Sequence, residues 1–217
     1  MIAVIQCASR KRSAAGHLET PAGQPVTFVA APRKAPPSDK VFYACPDDQS
    51  DYGWSWRDAL LKYNETPADN PRRLLPAWQL YEHSAYERLV GRLGDQNVFI
   101  LSAGWGLIRA DFLTPYYDIT FSASADTWKR RKQTDHYRDL CMLPPTTSEE
   151  IVFFGGKDYL PLFCSLTREA SGKRIVFYNS GSVPPAPGCD LRRFQTSTRT
   201  NWHYGCANAF LDGALRV

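Results

Sequence analysis

Four short apolar runs constrain this chain more than any other feature: Ile2-Ala3-Val4-Ile5, Val98-Phe99-Ile100-Leu101, Ile151-Val152-Phe153-Phe154 and Arg174-Ile175-Val176-Phe177-Tyr178. Each is too short for a helix and lacks the in–out alternation of a half-exposed strand. That is the pattern of a strand buried on both faces of a parallel sheet. Helical segments are expected between them: 54–64, a longer one starting at Pro76 or Ala77, Asp126 to Leu140, Tyr159 to Leu166, and Asn201 to Leu215. In the second of these, Pro suits the first helical position, and Tyr81, Ala85, Leu89 and Leu93 recur at four-residue steps until Gly94-Asp95 ends the helix. Strands alternating with helices predict an α/β fold, a mostly parallel central sheet flanked by helices on both faces. Residues 13–55 are rich in Pro, Gly and Ala and hold two candidate strands, Val26-Thr27-Phe28-Val29 and Val41-Phe42-Tyr43-Ala44. They read as an inserted, hairpin-like decoration. With no internal repeat and no composition break, residues 1–217 are expected to form a single α/β domain.

Composition narrows the class. Hydrophobic residues make up 43% and charged residues 22%, which excludes a disordered chain, a coiled coil and a collagen-like fibre. No apolar run approaches the ~20 residues of a membrane helix, and Met1-Ile2-Ala3-Val4-Ile5 lacks the flanks of a signal peptide; no membrane partner is expected. The six cysteines, at 7, 45, 141, 164, 189 and 206, form no Cys-x-x-Cys or Cys-x-x-His pair. No metal site is expected, and reduced cysteines in a cytoplasmic protein are the simpler reading. The net charge of +4, from 26 Lys and Arg against 22 Asp and Glu, is too mild to identify a nucleic-acid binder and leaves a polyanionic partner open.

All four core strands run into small or polar residues: Gln6-Cys7-Ala8-Ser9, Ser102-Ala103-Gly104-Trp105-Gly106-Leu107-Ile108, Gly155-Gly156-Lys157 and Asn179-Ser180-Gly181-Ser182. In a parallel sheet these exits share the carboxyl edge, where α/β proteins place ligands. Small residues let backbone N–H groups reach a ligand, and helix N-termini beyond them favour anions; tight turn chemistry alone is the alternative. There is neither a Walker loop nor a GxGxxG fingerprint, so neither ATP nor NAD is indicated and no cofactor is expected. The segment Phe112-Leu113-Thr114-Pro115-Tyr116-Tyr117-Asp118-Ile119-Thr120-Phe121-Ser122 surrounds one carboxylate with rings and hydroxyls. Asp118 either caps a turn after Pro115 or stands beside a pocket with an aromatic floor.

Four pieces of the chain carry a resemblance: Val4-Ile5-Gln6-Cys7-Ala8-Ser9-Arg10-Lys11; Pro76-Ala77-Trp78-Gln79-Leu80-Tyr81 with Ser84; Val98 to Ile108 leading to Pro115-Tyr116-Tyr117-Asp118; and Phe154-Gly155-Gly156-Lys157-Asp158-Tyr159. In this order they resemble a family of small bacterial and phage proteins related to the YaaA-type peroxide-stress proteins. The sequence departs from the family pattern in residues 13–55 and at Trp105, and its C-terminal part matches least. The resemblance implies a three-layer sandwich like that of uracil-DNA glycosylases. It also implies DNA base chemistry: flipping and excising a modified or damaged base, for instance a hypermodified phage cytosine such as glucosylated hydroxymethylcytosine, in antiphage defence.

Such a reaction passes through an oxocarbenium-like sugar, which needs negative charge nearby, and a pocket that stacks the flipped base. On that reading Asp118, Asn179 and Ser9 are the candidate catalytic residues. Gln6, Cys7, Ser102, Gly104, Trp105, Tyr116, Tyr117, Lys157, Ser180 and Ser182 are the candidate substrate contacts, and Lys11, Arg12, Lys129, Arg130 and Arg131 the candidate DNA-backbone contacts. The run Lys129-Arg130-Arg131-Lys132 reads equally as a solvated helix face, and the Pro-rich segment after Asn179 as a surface linker. Arg192, Arg193 and Arg199 near Trp202 and His203 form a second basic and aromatic stretch, and His203 is the one histidine singled out for a catalytic role. The alternatives are a non-catalytic DNA-binding stress-protection protein and a nucleoside or base transferase.

Overall fold

The computed structural model describes residues 1–67, 69–198 and 200–215. In chain order its elements are β1 (Ile2–Gln6), β2 (Val26–Phe28), β3 (Phe42–Ala44), α1 (Trp56–Tyr63), β4 (Leu75–Pro76), α2 (Ala77–Leu80), α3 (Ser84–Leu93) and β5 (Val98–Ser102). There follow β6 (Gly106–Arg109), β7 (Leu113–Thr114), β8 (Leu140–Cys141), β9 (Ile151–Phe154), α4 (Leu160–Leu166), β10 (Arg174–Tyr178), β11 (Asp190–Arg193) and α5 (Trp202–Leu211).

The central sheet has seven strands in the order β11-β10-β9-β1-β5-β6-β8. Every pair is parallel except β5 with β6, which is antiparallel. The four apolar runs form the middle of this sheet. Ala3, Val4 and Ile5 of β1 and Ile151 to Phe154 of β9 are fully buried, as strands covered on both faces must be. The covering layers can be read from two neighbouring rings. Phe153 stacks on Phe163 of α4 with centroids 4.5 Å apart, while Phe154 meets Phe210 of α5 at 5.3 Å. Successive residues of a strand point to opposite faces, so α4 and α5 lie on opposite sides of the sheet. The helix α3 packs beside α5. The result is a three-layer α/β sandwich, as expected.

Several local expectations are corrected. The helix expected from Asp126 to Leu140 does not form. Its apolar residues Trp128, Tyr137 and Leu140 make no stripe, and Arg130 instead bridges to Thr120 in an isolated parallel pairing. The helix expected to run from Pro76 to Leu93 is two: Tyr81 is extended and bridges to Lys11, and His83 restarts the helix by accepting Ala85 N–H at its Nδ1 (3.1 Å). Gly106-Leu107-Ile108, expected as turn, is the antiparallel strand β6. It can begin there because Gly106 has φ +92° and because a Cβ at that position would meet Leu140 O at 2.4 Å.

The 13–55 region is not a hairpin. β2 and β3 pair in parallel, with a 3-10 turn at Pro32–Lys34 in the connection that carries the chain back to the same end. Nor is it mere decoration. Phe28, at the end of β2, pairs with Tyr117 and accepts a hydrogen bond from Asp118 N–H at 2.7 Å. The insertion therefore holds the segment that carries Asp118. Among the described residues no helix is long and apolar enough to cross a membrane.

Candidate functional site

The chain leaves β1 towards β5 on one side and leaves β9 towards β10 on the other. Strands 1 and 9 are neighbours, so their exit loops diverge and open a crevice at the carboxyl edge, where open α/β sheets bind ligands. A cavity of about 1020 Å³ occupies this place. Gln6 to Arg10 from the β1 exit and Gly156, Asp158 and Tyr159 from the β9 exit form its floor. Gln6 Oε1 ties the two exits together by accepting Gly156 N–H at 2.6 Å. Asp118, Thr120 and the loop to Lys129 form one wall; Glu82, His83 and the start of α5 form the other.

The second wall is aromatic. His83 stacks on Tyr204 with centroids 3.6 Å apart and planes 9° from parallel, and the His203 ring lies against Tyr204 with centroids 4.1 Å apart. Tyr204 OH meets Tyr86 OH at 3.3 Å, and Tyr86 OH donates to Gln6 O at 2.8 Å, so α5, α3 and β1 are joined through hydroxyls. The helix α5 starts from Asn201 in the left-handed region (φ 58°) without a side-chain cap. His203 is buried and its Nε2 has no hydrogen-bond partner. Burial, and then the neighbouring His83, push its pKa down to about 4, so the imidazole is neutral at physiological pH. Burial lowers the pKa of His83 too. Tyr159, at the cavity floor, has its hydroxyl 3.2 Å from Cys7 Sγ.

Four carboxylates line the cavity, Glu82, Asp118, Asp126 and Asp158, against two cations, Arg10 and Lys129. Lys129 Nζ lies 3.0 Å from Asp118 and 3.1 Å from Asp126. Partial burial works to lower its pKa, but the hydrogen bonds it donates to these two carboxylates outweigh that and hold it above the ordinary value. Asp118 keeps a quarter of its side chain exposed. The Thr120–Arg130 pairing sets this contact, because Thr120 N–H donates to Lys129 O at 3.0 Å and so fixes the lysine opposite the carboxylate.

Of the residues expected at the site, the cavity brings together Gln6, Cys7, Ser9, Asp118 and Lys129. The β5 exit is not part of it. Ser102 Oγ donates to Tyr117 OH (2.9 Å) and accepts from Gly104 and Trp105 N–H, and Tyr117 OH pairs with Tyr81 OH at 2.7 Å. Trp105 and Tyr117 are fully buried, so neither can stack on a ligand. The three carbonyls of this turn are taken by buried guanidiniums: Arg131 donates to Ala103 O (2.9 Å), and Arg57 to Gly104 O (3.0 Å) and Trp105 O (3.1 Å). What reads as a ligand loop is a structural hub.

Arg131 accordingly is no DNA contact; it is paired with Asp139 at 2.6 Å and packed over Tyr137. Lys11 is also turned inward. It donates to Ala8 O at 3.1 Å, lies over the Tyr117 ring, and burial above all lowers its pKa. Tyr116 packs on His17, outside the cavity lining. The β10 exit lies outside the lining as well: Asn179 donates to Thr198 O, and Ser180 to Ser182 O. Arg12 donates to Gln79 O and Arg130 to Ala123 O on the surface. Lys157 is exposed between two lining residues. In the second basic stretch Arg192 pairs with Asp190, Arg193 is exposed, and Arg199 lies outside the described residues.

The residues not anticipated are Arg57, Glu82, His83, Tyr159 and Tyr204. An aromatic cluster, Trp202-His203-Tyr204, at a helix start was the available signal for the α5 wall. Arg57 gives none beyond a charge set between Trp56 and the apolar face of α1. Among the described residues no group of three or more His, Cys, Asp or Glu side chains is placed to hold a metal ion. Compared with models of protein families, with curated proteins and with solved structures, the chain matches none.

Proposed function

We propose that this chain is a DNA glycosylase that takes a flipped, modified or damaged base into the cavity between β1 and β9 and breaks its N-glycosidic bond. The observation that carries the reading is the composition of that cavity: a carboxylate-rich lining facing an aromatic wall at the sheet's switch point. Cleavage builds positive charge on the sugar, and an excess of carboxylates favours that charge in a site partly shielded from water. Asp118 is the candidate for this role, with Ser9 beside it on the β1 exit. His83, whose ring covers Tyr204, rather than Trp105 or Tyr117, is the candidate surface for the base. At about 1020 Å³ the cavity sits at the upper end of the ~300–1,000 Å³ usual for ligand pockets, which leaves room for a bulky substituent such as a sugar on cytosine. The exposed Arg10, Arg12 and Lys157 are candidates for the flanking phosphates.

The test is release of free base from phage and damaged DNAs by the purified protein, read by mass spectrometry. Asp118→Asn is expected to lower the release rate by on the order of 10²-fold or more, as loss of one preorganised electrostatic group does elsewhere, with an unchanged thermal melt. No base released from any modified DNA by the wild-type protein refutes the proposal. One observation favours a second reading, a non-catalytic DNA-binding protein: Lys129 already neutralises Asp118 at 3.0 Å. That reading predicts salt-dependent DNA binding, no base release, and no effect of Asp118→Asn on affinity.

A further inference from the structure

Away from the cavity, α4 and the start of β11 meet at two thiols. Cys164 lies on α4 and Cys189 immediately precedes β11; their sulfurs are 3.9 Å apart and both residues are half-buried. All six cysteines are free, and the remaining four are Cys7 and Cys206, buried, Cys45, half-buried, and Cys141, exposed. The guanidinium of Arg174 on β10 grips the turn before Cys189, donating to Pro187 O and Gly188 O at 3.3 Å each. This brings a fixed positive charge to the second thiol.

We propose that Cys164 and Cys189 are a redox-active dithiol, oxidised to an intramolecular disulfide by a low-molecular-weight disulfide of the glutathione class. The proposal does not rest on the glycosylase reading. Cys189 is the attacking group. The hydrogen bond donated by Cys164, followed by the charge of Arg174, outweighs burial and brings its pKa down to about 7, while the same hydrogen bond pushes Cys164 up. The Cys189 thiolate attacks one sulfur of the small disulfide and forms a mixed disulfide with it, while the other sulfur leaves as a thiolate and takes a proton from water. Cys164 then gives up its proton and attacks the Cys189 sulfur, expelling the second small thiolate. Two protein thiols are oxidised and one small disulfide is reduced to two thiols. Closing the bond needs the sulfurs to approach from 3.9 Å to about 2.05 Å. The lowered pKa leaves more of Cys189 as thiolate at neutral pH than an ordinary cysteine holds.

The experiment treats the reduced, full-length protein with oxidised glutathione at pH 7, blocks remaining thiols with iodoacetamide and maps the peptides by mass. The expected product is a Cys164–Cys189 linked peptide, lighter by two hydrogen atoms than the two free thiol peptides together. Cys164→Ser is expected to stop at a glutathione adduct on Cys189. Cys189→Ser is expected to leave Cys164 unmodified. A wild-type map with Cys141 capped and no linked peptide overturns the proposal. So does an adduct that persists on wild-type Cys189 without closing. Each of these readouts is covalent mass, so none changes with the presence or absence of base release.

Discussion

Replacing Arg57 by Met tests the claim that the β5–β6 turn is a structural hub. The stem and most of the volume remain and only the guanidinium is lost. Arg57 is 1% exposed and donates to Gly104 O and Trp105 O while paired with Asp47 at 2.5 Å. Trp105 O also accepts Leu140 N–H at 2.9 Å, so it loses one of two bonds, costing about 0.5–1.5 kcal/mol. Gly104 O is left buried without that donor, at about 1–3 kcal/mol. Asp47 keeps Arg138 N–H at 2.9 Å and is one-fifth exposed, so water meets most of its need. Removing the desolvated cation returns part of the loss, and the net expectation is about 2 kcal/mol. For a chain of this length that lowers the melting temperature by about 4–8 °C. Urea denaturation followed by tryptophan fluorescence, with an unchanged m value, is the assay, and Arg12→Met on the surface is the control, expected within ~0.5 kcal/mol of wild type. A loss below ~1 kcal/mol for Arg57→Met would refute the hub.

Tyr117→Phe removes the hydroxyl shared with Tyr81 and Ser102 and should cost about 1–3 kcal/mol by the same denaturation assay. His203 takes up a proton near pH 4 in the folded chain and near 6.5 when unfolded. The unfolded chain therefore binds more protons between those values, and stability falls as pH drops through that window, by roughly 3 kcal/mol in all. Melts from pH 7 to 4 should show a shallower decline in His203→Phe, and equal slopes would refute the assignment. Closing the Cys164–Cys189 bond removes loop entropy from the unfolded chain worth about 3 kcal/mol, so oxidised wild type should melt higher than reduced, while Cys189→Ser melts the same in either state.

The central strands were legible because burial on both faces leaves an uninterrupted apolar run that few other structures require. Elements decided by distant partners were not. Residues 126–140 are as charged as a solvated helix, and what folds them is Arg131 reaching the Ala103 carbonyl and Asp139, a contact with no local period. Strand β6 starts at a glycine, which reads as a turn until the close approach of Leu140 is known. The same reason governs the site. Gln6, Cys7 and Ser9 follow directly from the end of β1, so their place on the carboxyl edge is dictated by one strand. The exits of β5 and β10 share that edge, but one is roofed by the insertion and the other stands two strands away beyond β9, and neither fact is local. The α5 wall is brought over by a helix some fifty residues past β9, packed against α3.

The Phe28–Tyr117 pairing has a consequence for anyone wishing to pare the molecule down. A miniature retaining only the sandwich would discard residues 13–55 as dispensable ornament, yet with them would go the backbone acceptor that fixes the height of Asp118 above the cavity floor. The same stretch also carries Asp47, the partner of buried Arg57, and the core side chains Leu18, Val26 and Phe28, so such a trimmed variant should lose stability along with its hold on the carboxylate.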